Sequence, residues 1–127
     1  MTVGLSTTNL ANAMLNGIRG TSFSNSATYI GLHTGDPGAS GTSNQSAVTV
    51  RQQATVAAAS SGAIALSATP TARNMTTSET VAYISVWSAS TGGSFLWSAQ
   101  LSVSKTVANG DTLTLNTCGL SLAPLAA

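Results

Sequence analysis

Formal charge is almost absent from this chain. Arg19, Asp36, Arg51, Arg73, Glu79, Lys105 and Asp111 are its only ionic side chains, 6% of 127 residues, where a soluble domain carries about 25%. Steering of a charged substrate needs clustered charge. Here the four cations are scattered and the net charge is +1, unlike the basic face of a nucleic-acid binder. Cysteine is scarce too. The single Cys118 excludes an intramolecular disulfide and reads as a small buried hydrophobe. No window approaches the roughly 20 apolar residues of a membrane span, and no positive region followed by an apolar run suggests a signal peptide. Large core side chains are few: Leu, Ile, Val and Phe total 26, near the lower edge for a globular chain.

What fills the space is Ser (19), Thr (19), Ala (20) and Gly (12). A surface of hydroxyls and methyls desolvates far more easily than one of ions, and it repels itself little. Such a composition suits packing against other protein copies and argues against acid–base chemistry. Positive mean hydropathy with little net charge indicates a folded chain. Its length predicts a single domain over residues 1–127, able to bury about two-thirds of its unfolded surface.

The 5–19 segment predicts the one helix. Leu10, Ala11, Met14, Leu15 and Ile18 form a narrow apolar stripe, opposite Asn9, Asn12 and Asn16. Ser6, Thr7 and Thr8 are candidate N-caps, and Arg19-Gly20 is a C-terminal stop.

From residue 27 to 122 the pattern is short strands and turns. Ala27–Thr34 is a strand closed by Thr34-Gly35-Asp36-Pro37-Gly38, and 39–47 is a polar surface loop. Val48–Ala58 is β-rich, anchored by Val48, Val50 and Val56, and Ala63–Ala68 alternates weakly. Pro70–Ser78 is a connection with a short edge strand. Val81–Ser88 carries bulk on both faces and predicts a covered central strand. It forms a hairpin with Ser94–Leu101 through Ala89-Ser90-Thr91-Gly92-Gly93. Val103–Ala108 leads into Asn109-Gly110, a strong hairpin signal, and Asp111–Leu122 alternates with Leu113, Leu115, Thr117 and Gly119 on one face. Seven or eight such strands predict a mainly β fold, an antiparallel jelly-roll-like sandwich with one N-terminal α-helix. Residues 123–127 form an apolar tail suited to a subunit contact.

Catalytic patterns are weak. His33 and Asp36 stand three apart among many serines, yet no strained G-x-S-x-G elbow is present. The favoured reading has His33 ending a strand and Asp36 capping a turn. The acids are too dispersed for a glycosidase pair, and no set of ligands has metal-site spacing. No phosphate loop or dinucleotide motif is present, so no cofactor is expected. Tyr83, Trp87, Phe95 and Trp97 share one hairpin. Buried, they are the heaviest part of the core; exposed, they would make a contact or sugar-stacking surface.

Several segments together resemble a known family. They are Tyr29-Ile30-Gly31-Leu32-His33-Thr34-Gly35-Asp36-Pro37-Gly38, Val50-Arg51-Gln52-Gln53-Ala54-Thr55-Val56, Val81 through Gly93, Leu96-Trp97, Ser104-Lys105-Thr106-Val107 and Asn109-Gly110-Asp111-Thr112. From about residue 5 to 122 the chain resembles small virion proteins of tailed bacteriophages, variously labelled tail fibre, minor tail or capsid decoration proteins. The resemblance implies a non-enzymatic structural protein, assembled in the host cytoplasm into the virion. Its expected partners are itself and either the major capsid protein or tail proteins, without nucleic acid or membrane. One compact domain with no coiled-coil or repeat shaft favours head decoration on the capsid lattice. A tail-fibre or minor tail role is the alternative, and a carbohydrate-binding module a rival of another class. Leu10, Met14, Ile18, Leu122, Pro124 and Leu125 are the expected interface residues.

Overall fold

The computed structural model describes residues 3–123 and 126 of the chain. One helical segment precedes eight short to medium strands. Ser6 opens the helix, accepting from the Asn9 N–H at 3.3 Å. The helix starts wide at Thr7–Ala11, where the Ala11 N–H reaches the Ser6 carbonyl, becomes α-helical over Asn12–Asn16 (α1), and tightens at Gly17–Arg19. Gly20 ends it at φ 84°, a left-handed conformation that glycine adopts readily. Leu5, expected as the first helical residue, instead bridges Trp97 as a short strand partner.

The main sheet has order β2-β1-β5-β6, with β1 Thr28–His33, β2 Gln52–Ala54, β5 Glu79–Trp87 and β6 Phe95–Val107, all antiparallel. Two ribbons complete it: β3 (Ala63–Ala65) with β8 (Gly119–Ser121), and β4 (Arg73–Asn74) with β7 (Thr112–Leu113). The strands therefore make one four-stranded sheet and two ribbons, where a jelly-roll-like sandwich was expected. Lack of bulk explains the short strands. Val48–Ala58 contains only β2, and Val50 is exposed; Ala57, Ala58 and Ala59 offer nothing large to bury.

Two turn expectations change. The break between Leu101 and Val103 is a bulge inside β6: Tyr83 pairs with Gln100 and Val81 with Lys105, so 101–104 leave the ladder. Asn109-Gly110 closes no hairpin with β6. Gly110 has φ 92°, but Asn109 does not share the positive φ that a two-residue type I′ turn requires. The chain turns out of the sheet, and β7 pairs with β4.

The register sorts the side chains. Ile30, Val86 and Trp97 lie in one row, with Leu32, Ile84 and Ala99 in the next. This face forms the main core, joined by Leu10 of the helix and flanked by Ile64, Leu66, Leu113 and Leu120 of the ribbons and their margins. Tyr29, Gly31, His33, Tyr83, Ser85 and Trp87 point the other way. The 34–47 loop covers that face. It also pairs beside β1, through Thr34 N–H to Asn44 O (2.9 Å) and Ser46 N–H to Leu32 O (3.0 Å). Residues 39–47 do form a surface loop, mostly exposed, but one anchored to the sheet through the buried Gly41 and Ser46.

Gly41 packs its backbone on the Phe95 ring at φ 72°, and a Cβ there would overlap the ring. Gly41→Ala should therefore destabilise the fold by roughly 1–3 kcal/mol, from overpacking plus backbone strain. Urea unfolding of the two proteins measures it; equal midpoints would refute the packing.

Candidate functional site

The side chains nearest to catalytic chemistry meet beneath the 34–47 loop. Gly31 faces Ser85 across β1 and β5. An added Cβ at Gly31 would sit 2.9 Å from the Ser85 Oγ, so glycine leaves the space in which Ser85 reaches His33. The His33 Nε2 lies 2.7 Å from the Ser85 Oγ, and the Nδ1 lies 2.7 Å from the Ser43 carbonyl. A carbonyl can only accept, so Nδ1 carries the proton and the Ser85 hydroxyl donates to Nε2. The Trp87 Nε1–H donates to the same Ser85 oxygen at 2.8 Å. This is the serine–histidine half of a catalytic triad without its carboxylate. Asp36 instead accepts from the Gly38 N–H at 2.8 Å, capping its own turn. His33 and Ser85 are each only 1% exposed. The cluster is a hydrogen-bonded support, closed to substrate.

Burial holds the His33 pKa below its ordinary value, with the Arg51 charge adding to the effect and the Ser43 hydrogen bond opposing it. Arg51 lies over the Trp87 ring, 3.6 Å from its centroid. Its Nη1 donates to the carbonyls of Ala89 (3.1 Å) and Gly92 (2.7 Å), clamping the β5–β6 turn. Glu79, Asp111 and Arg73 do similar work. The Glu79 carboxylate accepts from the Ser46 hydroxyl and, at 3.1 Å, from the Ala47 N–H. Asp111 accepts from the Ala108 N–H at 2.8 Å. Arg73 is buried, donates to the Ile30 carbonyl, and has its pKa lowered by burial to about 10. Arg51, Ser85 and Arg73 carry no motif in the sequence. For the two arginines the one signal was the scarcity of ions, and for Ser85 there was none among 19 serines.

The four hairpin aromatics do not form one platform. Trp87 and Phe95 pack together at 5.5 Å between ring centroids, while Trp97 sits in the row of Val86 on the opposite face. All three are buried, and Tyr83 is half-buried. Sugar stacking needs an open ring face, and Arg51 already occupies one face of Trp87.

The open feature is an uncharged groove of about 650 Å³ between the helix, the start of β1 and the β3–β8 ribbon. Leu10 and Met14 line it from the helix, Trp97 and Leu96 from β6, and Leu122 from the residues after β8. Ile18 is not in the groove; it is 85% exposed beyond it, beside Leu15 at 63%. Narrowness of the stripe explains this: Leu10 reaches the core, and the next turns extend past the sheet. Pro124 and Leu125 lie outside the described residues.

Among the described residues no three of His, Cys, Asp and Glu converge as metal ligands, and no helix is long and apolar enough to cross a membrane. The polar cluster is closed, and the groove is open, uncharged and mainly apolar. The family model of the podophage GP4 fiber I protein gp80 matches residues 4–123, nearly the whole chain, and the protein belongs to that family. It is a structural component of the phage virion, tied by this family to fibre or tail rather than to a catalytic class. No curated protein matches the chain.

Two measurements test the support. Trp87→Ala should cost roughly 3–5 kcal/mol, as for large-to-small core changes; an unchanged thermal melt would refute its structural role. The unfolded chain takes up a proton on His33 near pH 6.5, the folded chain only at lower pH. The stability contributed by the neutral imidazole is therefore complete above about pH 6.5 and is lost as pH falls through the lowered folded value. Urea midpoints should fall as the pH drops below about 6.5, the folded pKa being lowered, and His33→Gln should flatten that fall.

Proposed function

We propose that this protein is a tail-fibre subunit of a tailed phage, a compact module that associates with copies of itself and with tail proteins. The family match across residues 4–123 is the observation that carries this reading. It favours the fibre over decoration of the capsid lattice. A compact domain without a coiled-coil or repeat shaft fits a fibre assembled from many chains equally well. Residues 1–127 act as one domain, in which the two ribbons serve as the second layer over the main sheet. The contacts run through the end of the helix at Met14 and Ile18, the groove wall at Leu10 and Leu122, and Pro124-Leu125. Little charge needs desolvating when such surfaces meet.

Immunogold labelling of purified particles tests the placement. Label should gather at the fibres, and the copy number should be a small fraction of that of the major capsid protein. Label over the whole head, in fixed ratio to the capsid lattice, would restore the decoration role.

A further inference from the structure

The groove beside the helix has no occupant among the described residues, and two observations identify one. First, its wall carries no ionic side chain: Leu10, Met14, Phe23, Ile64, Trp97 and Leu122 are among its larger members. Ala123-Pro124-Leu125-Ala126-Ala127 is likewise uncharged and apolar. Second, that segment begins at the rim. Leu122 lines the groove and donates its N–H to the Gly62 carbonyl, itself on the groove wall, at 2.9 Å.

The choice between a chain's own segment and a neighbour's follows from what else is uncovered. Phe23 extends from the groove wall to the surface, and the exposed Leu15 and Ile18 continue the apolar area along the helix. Five residues filling the groove cannot also cover that helix end, but a second copy can. The donor segment leaves from the edge of the acceptor groove, so copies around an axis near Leu122 can exchange segments reciprocally. Exchange of identical elements is an inexpensive route to closed oligomers.

We infer that the groove is the receptor for residues 123–127 of a second copy of this chain, which seats Leu125 among Met14, Ile64 and Trp97 in a mutual exchange. This rests on the self-association in the reading above.

The test is sedimentation equilibrium of the full chain, a chain ending at Ala123, and Ala59→Trp, which fills the groove from an exposed lining position. The full chain should assemble at micromolar concentration. Both variants should weaken assembly at least tenfold while keeping wild-type circular dichroism. Excess synthetic Ala-Pro-Leu-Ala-Ala should dissociate the wild type. An assembled wild type indifferent to both variants and to the peptide overturns the exchange alone. A wild type monomeric at all concentrations overturns self-association as well. Placement on the fibre is read from labelled particles and stands or falls separately.

Discussion

The rest of the structure depends on a strand that is dry on both faces over Ile84–Trp87. β5 pairs with β1 on one side and β6 on the other, and its register divides Ile84 and Val86 from Ser85 and Trp87. A lean chain cannot provide two hydrophobic layers of equal size. One face receives the apolar core, where Leu10, Ile30, Leu32 and Trp97 meet. The other is closed by a loop and by hydrogen bonds, with His33, Ser85, Trp87 and Ser43 saturating one another. Glycine at 31 and 41 is the steric condition for this closure: Gly31 leaves room for the Ser85 side chain beside it in the sheet, and Gly41 lets the loop settle on the Phe95 ring.

The few ions serve the same end. Arg51, Arg73, Glu79, Asp36 and Asp111 all bind backbone groups in turns, loops or strand margins. Asp36, Arg51, Glu79 and Asp111 hold loop and turn backbone, Arg73 holds β1 at Ile30, and charged groups make the stronger hydrogen bonds. With so few ions the outer surface is mostly Ser, Thr and Ala. For a virion component this matters, because neighbouring copies can meet without stripping water from ions. The apolar groove and the exposed helix end are then the places where such a surface gains most from contact.

Local signals were legible where bulk or turn chemistry was concentrated. The central strand, its hairpin and the Asp36-Pro37-Gly38 turn stand in the sequence because alternation and turn residues act over a few positions. The bulge at 101–104 left a trace as an apparent strand break. The candidate site was less legible. Leu10, Met14 and Leu122 share one groove, but nothing in their spacing joins a helix to residues more than a hundred positions away. The hairpin aromatics read as one cluster because they are neighbours in sequence, and the β-strand alternation places Trp97 on the far face.

Composition and the ordered motifs were enough to suggest a non-enzymatic phage virion protein, the class that the family match carries. Tertiary structure alone decided which strands meet. β7 leaves β6 for β4, and β8 crosses to β3, because short strands of small residues carry little pairing preference and take whichever edge completes burial. It also decided that a serine and a histidine fifty-two positions apart are joined, with no carboxylate and no access to solvent. Pairing of that kind depends on contacts distant in sequence, which no local pattern of residues encodes.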